Sequence, residues 1–165
     1  MQESFDFTGR TVFVSGGSSG INLGIADAFA ARGAAVAVMS RSQDKIDAAV
    51  EHLQRHGGKA IGFAADVREP AAVAEALKSA HAAFGDFDVL VSGAAGNFVS
   101  PALNMSPNGF KTVVDIDLLG TFNVIRQAHQ YLRRPGASVI NISAPQSFNP
   151  TIYQAHVCAA KAGVD

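Results

Sequence analysis

The sequence predicts an α/β protein built as a doubly wound parallel sheet, and three observations predict it. Short, nearly continuous apolar runs alternate with longer segments of helical period, and a glycine-rich turn follows the first run directly. The apolar fraction, 48% of 165 residues, is enough for one compact core. Runs without polar alternation are what strands covered by helices on both faces require.

The first strand is Thr11–Ser15 (TVFVS), and a helix is expected over 20–32 after the turn. The second is Ala34–Met39 (AAVAVM). A helix over 42–56 follows, with Ile46, Val50 and Leu53 at i, i+4 and i+7, and with Ser42 and Gly57–Gly58 punctuating its ends. Ala60–Ala65 (AIGFAA) precedes a helix over 69–84, and Val89–Ser92 (VLVS) precedes one long helical segment over 106–133. The fifth strand is Ser138–Ser143. Ala159–Asp165 reads as the start of another helix, without a C-cap. Ending there would leave a sheet edge bare, a pairing liability, so the C-terminal part of the fold is expected beyond residue 165. No repeat, low-complexity tract or linker divides the chain, and residues 1–165 read as a single domain.

Thirteen Lys and Arg stand against 14 Asp and Glu, for a formal charge of -1. The charges are scattered, which argues against a nucleic-acid partner and against a polybasic membrane anchor. No run approaches the ~18 apolar residues of a membrane span. The opening MQESFDFTGR is polar and lacks a signal core, so a cytoplasmic location is expected. Cys158 stands alone, which excludes an internal disulfide and a cysteine-based zinc site and fits a reducing compartment. No metal site is expected.

The turn Ser15-Gly-Gly-Ser-Ser-Gly-Ile-Asn-Leu-Gly24 is the first functional signal. Gly16 and Gly20 permit positive φ and close approach of backbone to a pyrophosphate, and the helix opening near Gly20 aims free N–H groups at such an anion. The turn lacks the Gly-Lys-Ser/Thr of a nucleotide-hydrolysing P-loop. At the end of the second strand, Met39-Ser40-Arg41-Ser42 carries no acid for a ribose 2′-hydroxyl. Arg41 and its flanking hydroxyls suit a 2′-phosphate, so NADP(H) is expected over NAD(H). Asp66, ending the third strand, either accepts from an adenine amine or caps the helix that starts near Glu69.

With GGSSGINLG, Asp66-Val67, Gly93-Ala-Ala-Gly96 and Lys161, the whole chain resembles the short-chain dehydrogenase/reductase family. That resemblance implies a Rossmann-type sheet, a dinucleotide across its strand ends and a homotetramer or homodimer. Ala94-Ala-Gly-Asn-Phe-Val-Ser-Pro101, Ser106–Thr112 and Asp115–Phe122 look more specifically like the 2,4-dienoyl-CoA reductase branch. The likeness implies NADPH-dependent reduction of a conjugated dienoyl-CoA. It implies cofactor phosphates on Gly16, Ser18, Ser19, Gly20 and Ile21, the 2′-phosphate on Arg41, and the adenine on Asp66. Val67, Ala94, Gly96 and Lys161 complete the implied cofactor site, and Arg41, Arg68, Phe98 and Ser106 are implied to touch the CoA ester. Guanidinium groups suit CoA phosphates through paired charge-assisted hydrogen bonds.

The family's usual proton-donating group is a Ser, a Tyr and a Lys four residues after that Tyr. Here Val157 stands four before Lys161, the Ser position is Ala144 with Ser143 beside it, and the usual helix Asn is Asp117, as in the dienoyl-CoA reductase branch. The branch's upstream Tyr position is Gln146. Hydride addition to a conjugated acceptor leaves an enolate that must be protonated or held by donors. Tyr153, His156 and Asp117 are the candidates for handling that proton. A phenol near a lysine ammonium gains acidity, and an imidazole has an ordinary pKa suited to proton transfer. Lys161 is the expected ribose binder and source of positive charge. The leading expectation is an NADPH-dependent dienoyl- or enoyl-thioester reductase. The alternatives are a general carbonyl or alcohol dehydrogenase and an NADP-binding protein with a degraded active site.

Overall fold

The computed structural model describes residues 5–165. Strand β1 (Thr11–Ser15) leads into helix α1 (Gly20–Ala30), β2 (Ala35–Ser40) into α2 (Gln43–Gln54), and β3 (Ala60–Ala64) into α3 (Pro70–Phe84). After β4 (Val89–Ser92) come α4 (Pro107–Val114), a π-turn (Asp115–Leu119) and α5 (Gly120–Ala128). Strand β5 (Ser138–Asn141) and helix α6 (Ala155–Val164) complete the described elements. The five strands pair in the order β3-β2-β1-β4-β5, and every pairing is parallel. This is the doubly wound α/β sheet that the sequence predicts.

Alternation along the strands sorts the core into two layers. Val12, Val14, Val36, Val38, Val89 and Val91 face Ala26, Ala30, Ile46 and Leu53 of α1 and α2. Phe13, Ala37, Met39 and Leu90 face Val73 and Leu77 of α3 and Val124 of α5, with Phe87 packed in the same layer. The Phe13 and Phe87 rings lie 5.5 Å apart in a tilted pair. Each such buried side chain contributes about 1.5–3 kcal/mol of transfer free energy.

Two expectations need correction. The fifth strand is not covered on both faces: all four of its residues are exposed, because among the described residues the helices pack over the other four strands and leave β5 open. The helical segment expected over 106–133 is also not one helix. It widens at the π-turn, resumes as α5 and ends in a 3-10 turn at His129–Tyr131. Gly120 meets Val67 at the end of that wide turn, where a Cβ would lie 2.6 Å from the Val67 side chain. π-turns inside helices often mark functional positions, and this one carries Asp117.

The entering ends of β1 and β4 are fastened by Asp88, which is almost fully buried. Its carboxylate accepts from the Thr11 amide at 2.9 Å and from Arg10 at 2.8 Å, and Arg133 Nε lies 2.6 Å away. Burial pushes the Asp88 carboxyl up, but these donors outweigh it and hold the group below the usual carboxylate range.

Candidate functional site

At the opposite end of the sheet, β1 turns toward α1 while β2 and β4 diverge on either side of it, which opens a crevice at the switch in strand order. A cleft of about 500 Å³ occupies this place, lined by the β1–α1 turn and by the ends of β2, β3, β4 and β5.

The turn is built tightly on its inner side and left open on its outer side. Gly16 has φ +76°, donates its amide to Met39 O at 2.7 Å and has no room for a side chain: a Cβ would lie 2.9 Å from the Ala94 backbone. Gly17 is equally enclosed, by Val38 and the Val14 carbonyl. At Gly20, with φ +58°, a Cβ would meet nothing within 4 Å. Ser18 Oγ donates to or accepts from Ser40 Oγ at 2.7 Å, tying the turn to β2. Ser19 stands at the N-cap of α1 without a side-chain cap bond, so the first amides of that helix remain available to an anion. Gly16, Ser18, Ser19 and Ile21 line the cleft, and Gly20 sits behind them as the first residue of α1.

Asn22 carries a role that reading the sequence missed. Its side-chain amide donates to Gly93 O at 2.6 Å, joining α1 to the end of β4, and a Cβ at Gly93 would lie 2.2 Å from Asn22 Oδ1. The sequence carried no signal for it, because only the fold shows that this side chain is partly buried against Gly93.

At the β2 end, Arg41 is exposed on the cleft's rim and forms no ion pair among the described residues. Ser40 and Ser42 line the cleft beside it. Lys45 lies on the same wall, four residues along, and was not singled out from the sequence. Asp66 and Val67 line the cleft just beyond β3. Asp66 does not cap the helix. Glu69 occupies that position, and Asp66 is instead gripped by Arg68 through a fork with contacts of 2.6 and 3.0 Å. The Arg68 guanidinium holds the Asp66 carboxyl below its usual range. Arg68 is thus tied beside the cleft and is not among its lining residues.

The deep wall joins Asp117 and Lys161. Lys161 Nζ donates to Ile142 O at 2.9 Å and lies 3.4 Å from Asp117 Oδ2, while Asp117 Oδ1 accepts from the Gly96 amide at 2.7 Å. Both side chains are buried. Burial pushes the Asp117 carboxyl above its usual range, and the Gly96 amide and Lys161 charge oppose this without overcoming it. Ala94 and Gly96 line the cleft, as do Ser143, Ala144 and Gln146. Val157 faces it too, one helical turn before Lys161, so an isopropyl group stands where a phenol would have reached the ammonium.

The other predicted residues are gathered outside the lining. Tyr153 precedes α6 and is 53% exposed. His156 is fully buried, its ring centroid 4.3 Å from that of Phe98. Ser106 is the N-cap of α4 and accepts from the Gly109 amide at 3.0 Å. Cys158 is free.

The family model for short chain dehydrogenase matches residues 10–165. Among curated proteins, the peroxisomal 2,4-dienoyl-CoA reductases of Arabidopsis thaliana and Rattus norvegicus are each 42% identical, over 95% and 94% of this chain. The chain spans about half the length of these relatives, 56% and 54% respectively. Among solved structures, a dehydrogenase/reductase from Sinorhizobium meliloti superposes with a TM-score of 0.91 at 30% identity, covering 96% of this chain and 64% of its own.

Proposed function

The chain belongs to the short-chain dehydrogenase/reductase family, and from that premise we propose that it is an NADPH-dependent oxidoreductase that reduces a conjugated dienoyl- or enoyl-CoA thioester. A nicotinamide cofactor follows from the family. The free amides at the start of α1 and the open side of the turn fit a pyrophosphate. Arg41 and Lys45 fit a 2′-phosphate better than a ribose hydroxyl, since no carboxylate stands at the β2 end to accept from one. In this reading Asp66 serves the adenine and Lys161 the ribose nearest the nicotinamide, both lining the cleft. When bound, the cofactor supplies the hydride.

The observation that carries the substrate reading is a buried ammonium in a cleft wall without a phenol. Reduction of a ketone requires a proton on the new alkoxide oxygen as it forms, the task of the family's usual Tyr. Hydride addition to a conjugated thioester instead spreads charge onto a carbonyl oxygen, which needs positive charge nearby while carbon takes its proton separately. Lys161, held in place by Ile142 O and Asp117, provides that charge. In this reading water in the cleft delivers the proton to carbon, and Asp117 holds both the ammonium and the Gly96 amide at the floor of the site.

Exposed Phe110, Leu119 and Phe122 on the α4–α5 face support a homodimer or homotetramer in the same proposal. Among the described residues no helix is long and apolar enough to cross a membrane. The cytoplasm remains the proposed compartment because a lone cysteine fits a reducing environment, while the peroxisomal names belong to the relatives.

The test is NADPH oxidation by the full chain with a 2,4-dienoyl-CoA, beside binding of NADPH and NADH. The expected result is stoichiometric oxidation and preferential NADPH binding. Arg41→Ala should weaken NADPH by about 10–100-fold while sparing NADH, the worth of a lost charge-assisted pair. Saturable NADPH binding without turnover would identify a cofactor-binding protein with a degraded site, a reading the absent phenol also supports. Equal affinity for NADH would overturn the NADP assignment.

A further inference from the structure

The segment after β4 is pinned at alternate residues by three contacts, one from the π-turn and two from the start of α6. The Gly96 amide donates to Asp117 of the π-turn at 2.7 Å. The Phe98 ring rests on His156 in the first turn of α6, with centroids 4.3 Å apart. The Ser100 amide donates to the Tyr153 carbonyl at 3.0 Å. The intervening residues face away from these anchors: Asn97 lines the cleft and Val99 is 70% exposed.

Two features at the anchors are hard to explain by proton transfer. Tyr153 is, among the described residues, the only non-glycine with positive φ, at +66°, and the residue is exposed while its carbonyl makes the contact. Such a left-handed residue persists only where its surroundings hold it. His156 is fully buried, no protein group bonds either ring nitrogen, and its ring meets Phe98 in a tilted pair with planes 55° apart. Neither side chain lines the cleft.

We infer that His156, through its ring, and Tyr153, through its backbone carbonyl, are positioning residues that hold Phe98–Ser100 and so fix the adjoining residues Gly96 and Asn97 that line the cleft. Neither is then the group that gives up the proton. This rests on the thioester reading above for its kinetic consequence, though the clamp itself is a property of the fold.

The test compares His156→Phe, His156→Ala, Tyr153→Phe and Tyr153→Gly in the full chain. It reads kcat and KM for a 2,4-dienoyl-CoA, the NADPH dissociation constant, and hydrogen exchange at the Ser100 amide. His156→Phe keeps a flat ring, and Tyr153→Phe keeps the backbone, so both should hold kcat and KM within about twofold of wild type. His156→Ala should raise KM about tenfold and speed Ser100 exchange by a similar factor, with NADPH affinity unchanged. Tyr153→Gly, which adopts the same φ freely, should retain Ser100 protection. His156→Leu fills the space without the flat face, and repeats the measurement should His156→Ala not fold.

Loss of kcat by about 100-fold or more in His156→Phe or Tyr153→Phe would make that residue the acid and overturn the inference. Unchanged KM and unchanged exchange in His156→Ala would overturn it also, as would NADPH affinity falling in step with KM. Absence of turnover in wild type would sink the thioester reading alone, and Ser100 exchange in the variants would still decide whether the clamp exists.

Discussion

Two aspartates are buried at opposite ends of the same sheet, and their surroundings differ in kind. Asp88 is surrounded by donors, the Thr11 amide, Arg10 and Arg133, and its carboxyl is held below the usual range. Asp117 has the Gly96 amide and a more distant Lys161, and burial leaves its carboxyl above that range. A saturated carboxylate stabilises the fold in its charged form. An undersupplied one is a liability to the fold and an asset to a site that must steady an ammonium and exchange protons.

The contrast breaks most visibly at Lys161. Lys161→Met should lower kcat/KM for a dienoyl-CoA by about 100-fold or more, the scale of losing a preorganised electrostatic partner. A steady-state assay showing near-wild-type turnover would make the pair structural, like Asp88. Next in size, Asp88→Asn should destabilise the protein by about 2 kcal/mol at neutral pH in urea melts, a figure discounted because Arg10 and Arg133 are partly in water. The folded pKa of Asp88 is depressed, so its contribution is present above the ordinary value of 3.8 and is lost as pH falls through the folded pKa. The deficit of Asp88→Asn should therefore close in acid.

Asp117→Asn gives the smallest effect and the opposite sign. The folded pKa of Asp117 is raised, so its contribution is fully present below 3.8 and is lost as pH rises through the folded pKa. At neutral pH the variant should be slightly more stable than wild type in the same melts, with the gain vanishing below pH 3.8. Its turnover should fall, because Lys161 loses its anchor. Melts in which both aspartates lose stability on substitution at pH 7 would erase the distinction between them.

Much of this architecture was legible in the chain. The apolar runs located all five strands because a parallel sheet sandwiched by helices leaves little room for polar alternation. Gly16 announced its turn because only glycine combines φ +76° with backbone contact to Ala94. What sequence spacing could not reveal was the direction of individual side chains. Gly62 looked like an ordinary strand residue, yet it is enclosed by Ile46, a neighbour distant in sequence. Tyr153 and His156 were near enough to Lys161 by count to serve it, but a left-handed residue before α6 and the Phe98 ring turned them elsewhere. The π-turn at Asp117 left no trace in apolar periodicity, since a single wide turn shifts the helical phase without interrupting it. The exposure of β5 escaped because Val139 and Ile140 have the composition of a covered strand.

The strand order also has a consequence for synthesis. Strand β1 is central, with β2 on one side and β4 on the other, although β4 is made much later. At about 5–20 residues per second, the roughly seventy residues between the two take on the order of 4–15 s to emerge, during which one edge of β1 has no native partner. The nascent chain therefore carries its central strand half-paired for seconds, which is the interval in which a ribosome-bound chaperone would find it.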